Sequence, residues 1–280
     1  MAMTINTNLG ALQVTNALSQ NQAALQSSMQ KLATGSRINT AADDPAGLAI
    51  SQALQSQIGG MTQASANTAD GISLIQTASG ALTQVSSILQ NIRNLVVQSG
   101  NDTQSSTSLA DIGTAVTALV SQLNKIGAST NFNGVNLLDG ATNAPTPGQV
   151  TFQVGANGTA NDQVTVDLTG ANVVAVGSAL AGLGFGSANV SASLTTLDTQ
   201  IQNVATAQAT LGANQNVLQA QAQSLSVNSE NLTAANSQIS DTNMASEMAK
   251  FTKDNVLMQA GAAMLSQANQ QSQLVLKLLQ

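Results

Sequence analysis

The chain contains no cysteine, histidine, tryptophan or tyrosine, and its 280 residues include only four phenylalanines and three prolines. Without thiolates or imidazoles, the common zinc ligands are missing, and so are the usual Ser–His and Cys–His nucleophile pairs. Disulfide staples are excluded, which suits an exported protein built without them. Charged residues make up only 7% of the chain, and its net charge is -6. The few basic residues are scattered, so no clustered surface exists for nucleic acid or for an anionic membrane. No apolar run is long enough to cross a bilayer; the best, Val173 to Phe185, is interrupted by Gly177, Gly182 and Gly184. The start, MAMTINTNLGALQ, lacks a basic region followed by an apolar one, so no cleavable secretory signal is expected. Carboxylates are dispersed except at Asp43 and Asp44, where a helix start explains the pair without acid–base chemistry. These absences point away from an enzyme and imply no cofactor and no metal.

Ala, Ser, Thr, Asn and Gln are abundant where a helical protein usually carries Lys and Glu. Neutral helix faces of this kind can be buried against other helices without desolvating ions. Apolar residues repeat at threes and fours through Ile75, Ala78, Leu82, Val85, Leu89, Ile92 and Val96, and again through Leu109, Ile112, Val116, Leu119, Leu123 and Ile126. The two runs predict long helices joined by a turn within Gly100 to Ser108. The first should begin near Pro45, with Asp44 as N-cap, and continue to about Ser99. Leu18, Leu25 and Leu32, with Met29 beside them, mark an earlier helix ending near Gly35, and Ser36 to Asp43 is then a connector.

The C-terminal half carries Leu197, Val204, Leu211, Leu218, Leu225, Leu232 and Ile239 seven residues apart. Their companion positions are mostly polar or small, so the stripe is narrow and requires a partner with its own seam. At about 1.5 Å per residue this helix would be a rod of roughly 70 Å. A last segment places Met244, Phe251, Met258 and Leu265 at sevens, with Met248, Ala262 and Leu276 as companions. Between the helical halves, from about 131 to 193, Gly, Pro and β-branched residues prevail. There Val150, Phe152 and Val154 alternate with polar residues, as do Val164, Val166 and Leu168 beyond GANGTAND, which predicts a β-hairpin. The fold class is mainly α: long antiparallel, heptad-patterned helices in a coiled-coil rod, with a small mid-chain β region and paired termini.

GLGFG at 182–186 is read as turn glycines, since neither Lys-Ser/Thr nor a strand-loop-helix context follows. The C-terminal methionines stand at heptad spacing and are read as packing rather than as a soft-metal site. Asn189-Val190-Ser191 is a glycan-acceptor triplet of a kind this composition produces by chance.

Several stretches resemble the bacterial flagellin family: INTN near the start, LATGSRINTAADDPAGLAIS at 32–51, ASANTADGISLIQTASGAL at 64–82 and QNIRNLVVQS at 90–99. TNFNGVNLLDG at 130–140 and the run from ISDTNMASEM at Ile239 to the final residue complete the likeness, which covers both terminal thirds in order. The resemblance implies a filament subunit in two layers. Residues 1–43 and 240–280 would pair as an inner coiled coil, and 44–239 would form an outer-core domain carrying the β-hairpin insertion at about 131–193. It implies assembly through Leu18, Leu25, Leu32, Met244, Met248, Phe251, Met258 and Leu265, and outer-core packing through Leu82, Leu89, Ile92, Leu119, Leu211, Leu218 and Leu225. The implied partners are other copies of the chain, the flagellar type III export apparatus, a chaperone, and cap and hook-associated proteins. The implied location is the extracellular filament, with terminal helices that order only on assembly.

One departure concerns the mammalian Toll-like flagellin receptor. Flagellins that it detects carry Gln-Arg-x-Arg-Glu-Leu where this chain has Gln90, Asn91, Ile92, Arg93, Asn94 and Leu95, and a Glu that aligns with Ala115. Weak or absent activation is expected. The competing readings are a hook-filament junction protein, a non-polymerising secreted coiled-coil adhesin or effector, and a hydrolase.

Overall fold

The computed structural model describes residues 8–140 and 148–278, with side chains to 271. In chain order the elements are helices α1 (Leu9–Thr34), α2 (Pro45–Ser99) and α3 (Ser106–Ser129), then strands β1 (Asn131–Phe132), β2 (Val135–Asn136), β3 (Gln149–Gln153) and β4 (Gln163–Asp167). Helices α4 (Val173–Leu180), α5 (Val190–Ser240) and α6 (Met244–Leu278) complete the chain.

Local chemistry sets the helix ends. The N–H of Gly47 bonds to Asp44 Oδ1 at 2.9 Å, so Asp44 caps α2 and Pro45 takes the first helical position, where a missing N–H costs nothing. Asn8, Ser105 and Asn172 accept from Ala11, Ser108 and Ala175 in the same way, capping α1, α3 and α4. Gly35 ends α1 in the left-handed region at φ 71°, its N–H returning to the Lys31 carbonyl at 2.9 Å.

Residues 57–230 form one compact unit, and those up to Ser56 together with those from Asn231 form a second. The core of the first is the meeting of three heptad seams. Ile75, Leu82, Leu89 and Ile92 of α2, Leu123 of α3, and Leu197, Leu211 and Leu218 of α5 are essentially inaccessible to solvent. Within this unit α2 and α5 run antiparallel, with Gly71 against Leu218, Arg93 against Asp198 and Gly100 against Val190. A Cβ on Gly71 would stand 3.1 Å from Leu218 Cδ1, so its absence allows the two helices a close approach.

The mid-chain stretch contains the anticipated hairpin, β3 against β4, with Val150 opposite Val166 and Phe152 opposite Val164. It also contains a tighter hairpin, β1 against β2, turned by Asn133 at φ 49° and Gly134 at φ 80°, the two positive angles that an Asn-Gly turn accommodates. The β-branched Val173 to Leu180 segment folds as helix α4, whose Val173, Val176 and Leu180 bury against the core. Its three valines lower helix propensity slightly, but the Asn172 cap and a buried helical stripe outweigh that weak preference. Among the described residues no helix is long and apolar enough to cross a membrane.

Candidate functional site

The second unit is built on the pairing of α1 with α6. The helices run antiparallel. Asn8 Nδ2 donates to the Ala268 carbonyl at 3.0 Å, Leu18 sits over Gly261, and Ser28 Oγ donates to Glu247 Oε1 at 2.6 Å. A Cβ on Gly261 would lie 2.5 Å from Leu18 Cδ1, so the glycine is a hole into which the leucine fits.

Each helix contributes to this seam one apolar series and a second series that, apart from Val14, is polar or small. On α1, Leu18, Leu25 and Leu32 alternate with Val14, Asn21 and Ser28; Leu25 and Ser28 are buried, the others half-buried. On α6, Phe251, Met258 and Leu265 are half-buried beside Glu247, Asp254, Gly261 and Ala268. Met244 and Met248 are 48% and 53% exposed. Met244 opens α6 level with the end of α1, and Met248 belongs to a series one position away from the one that faces α1. The side chain of Leu276, which shares that series, lies outside the described residues. The companion series facing α1 is polar and small, which is why hydrophobic periodicity does not reveal it. Leu9, Leu12, Met29, Val256, Leu257 and Met264 are exposed on the remaining faces of the pair.

At the base of the pair, the two connectors are clasped together. Arg37 N–H donates to the Ser240 carbonyl at 2.6 Å, and Thr242 N–H to the Gly35 carbonyl at 2.9 Å. The Arg37 guanidinium reaches the Ile239 carbonyl at 2.6 Å, and Ser36 Oγ reaches Ser240 at 3.1 Å. A cation at the C-terminus of α5 thereby satisfies carbonyls that the helix leaves free and complements its dipole. Asp43 ties the connector's turn. Its Oδ2 accepts from the backbone of Thr40 and of Asn39 and from the Thr40 hydroxyl, bonds that hold its carboxyl below the ordinary value. Both adjacent carboxylates, Asp43 and Asp44, are thus occupied in turn and cap geometry.

Of the outer-core residues expected from the sequence, Leu82, Leu89, Ile92, Leu211, Leu218 and Leu225 are buried. Leu119 is half-buried, with Val120 taking the deeper place on α3. Asn91 and Ala115 are exposed, Leu95 is half-buried against the core, and Arg93 is tied to Asp198 at 2.8 Å.

Residues 5–143 match the family model described as the bacterial flagellin N-terminal helical region, and residues 194–279 match the bacterial flagellin C-terminal helical region. The chain belongs to the bacterial flagellin family. It is 44% identical to a flagellin of Bacillus subtilis over 99% of its own length and all of the relative's, and 44% identical to a flagellin of Halalkalibacterium halodurans with the same coverage. A flagellar filament 30.7 kDa core protein of Treponema maltophilum is 38% identical, again over 99% of this chain and the whole relative. Among solved structures, a putative flagellar hook-associated protein from Vibrio parahaemolyticus shares the fold at a TM-score of 0.56 and 17% identity, covering 71% of this chain and all of that one. This flagellin is a structural subunit of the flagellar filament, a self-polymerising protein of an extracellular assembly.

Proposed function

We infer that the α1–α6 pair is the inner-core, assembly-dependent part of this flagellin, and that 1–43 with 240–280 orders when a copy joins the filament. The observation that carries the reading is the composition of the seam. Five of its positions are Asn21, Ser28, Glu247, Asp254 and Gly261, while apolar residues such as Leu9, Leu12, Val256, Leu257 and Met264 remain exposed on the other faces. A two-helix pair with so little apolar burial is marginal by itself, because helices gain most of their stability from packing. The uncovered residues suit neighbouring copies, which must meet through different, complementary faces in a polymer that does not close on itself.

In this reading Leu18, Leu25, Leu32, Phe251, Met258 and Leu265 hold the pair within a subunit, and Met244 and Met248 make contacts between subunits. The chain reaches the filament tip through the flagellar type III apparatus, with a chaperone and with cap and hook-associated proteins as partners, and it activates the Toll-like flagellin receptor weakly. Amide exchange on the free chain and on filaments tests the assembly step. The Leu18 and Met258 amides are expected to exchange freely in the first and to be protected in the second; equal protection in both states would refute it.

A further inference from the structure

Asp254 is only 5% exposed, and its Oδ2 has no hydrogen-bond partner among the described residues. It stands in the first third of α6, between Phe251 and Met258 of the α1-facing stripe. One heptad earlier on the same stripe, Glu247 has partners: its Oε1 accepts from Ser28 Oγ at 2.6 Å and lies 3.7 Å from Lys250 Nζ. Hydroxyls and amides that could serve Asp254 abound in this sequence, yet none reaches that oxygen. A carboxylate oxygen that gives up water and gains no hydrogen bond penalises the state that buries it. Here the penalty falls on the paired state alone, since Asp254 is hydrated whenever α1 and α6 are apart.

We propose that Asp254 is a brake on terminal-helix pairing, which keeps α1 and α6 from associating in the free subunit until contacts with neighbouring copies outweigh its cost. The idea rests on the reading that the pair orders on assembly. It assigns a specific residue to the weakness of the isolated pair: the seam is weak through one buried charge as well as through small apolar area. The exposed remainder of α6 is left free to form subunit contacts, because the brake lies inside the pair.

The test is amide exchange at Leu18, Leu25 and Met258 in the free full-length chain, comparing the natural protein with Asp254→Leu, Asp254→Asn and Thr252→Leu. Asp254→Leu should raise protection by about tenfold or more, and the near-isosteric Asp254→Asn by several-fold. Thr252 is exposed on the same helix, so Thr252→Leu reports helix propensity alone and should change protection by no more than about twofold. If the natural chain is unprotected and the Asp254 variants rise no further than Thr252→Leu, the brake is overturned and the assembly reading stands. Strong protection in the natural free chain overturns the assembly reading, and the brake with it.

Discussion

Gly261 is opposed by two effects of different sign. A glycine in a helix interior costs roughly 0.5–1 kcal/mol relative to alanine, so replacing it should favour α6 wherever the helix stands alone. In the pair, however, its missing Cβ is the space occupied by Leu18 Cδ1. A valine recovers little propensity, because its branched Cβ is restricted in a helix, and it drives two methyl groups toward Leu18. Overpacking of this kind costs about 1–3 kcal/mol, more than the propensity gained. Filaments of Gly261→Val should therefore depolymerise on heating several degrees below natural filaments. Equal or higher thermal stability would show that Leu18 moves aside freely. The same residue shows where the sequence is hard to read. Leucines at sevens announce themselves, but a glycine that accepts one of them, or a serine and a glutamate that bond across the seam, carries no periodic apolar signal. Arg37 is hidden for a different reason: its partners are backbone carbonyls of residues two hundred positions away.

At the level of helices and strands, the sequence was most legible where heptad spacing, a cap and a stop agree. Helix α2 begins at Pro45 after the Asp44 cap and ends at Ser99, and the β3–β4 hairpin pairs the two alternating runs on either side of GANGTAND. It was least legible at α4, where eight residues, six of them apolar, show no period long enough to separate helix from strand. The outward faces of α2 and α3 carry a prediction of their own. Gln90, Asn91 and Asn94 are exposed and neutral, and Ala115 on α3 is exposed and uncharged. The single cation nearby, Arg93, already pairs with Asp198. A receptor that uses two arginines and two acids on this surface meets one engaged arginine and no acid at the matching positions. Reporter cells bearing the Toll-like flagellin receptor should respond weakly to this protein at nanomolar dose, and Asn91→Arg, Asn94→Glu and Ala115→Glu together should raise the response at least tenfold. A strong response to the natural chain would overturn this.

For the whole molecule, the division into two compact units means that assembly can be damaged without unfolding the chain. The unit at 57–230 has a continuous core from Leu74 to Leu218 that involves no residue of α1 or α6. The α1–α6 unit relies instead on a few half-buried apolar side chains, among them Phe251, which stands three positions before Asp254 and four after Glu247 on one stripe. Phe251→Asp would remove the largest of these and place a third carboxylate between the half-buried, hydrogen-bonded Glu247 and the buried Asp254. Burying another unpaired charge costs several kcal/mol, and at about 1.4 kcal/mol per tenfold this exceeds a hundredfold in the concentration needed for growth. Natural filament fragments used as seeds should therefore fail to elongate with Phe251→Asp under conditions in which the natural chain grows, as judged by sedimentation and electron microscopy. The cooperative thermal unfolding of the 57–230 core, followed by circular dichroism, should stay within a degree or two of the natural protein. Elongation at the natural rate would remove Phe251 from the pairing seam. A collapse of the core transition would mean instead that the two units are not independent, and that assembly and folding in this chain are a single event.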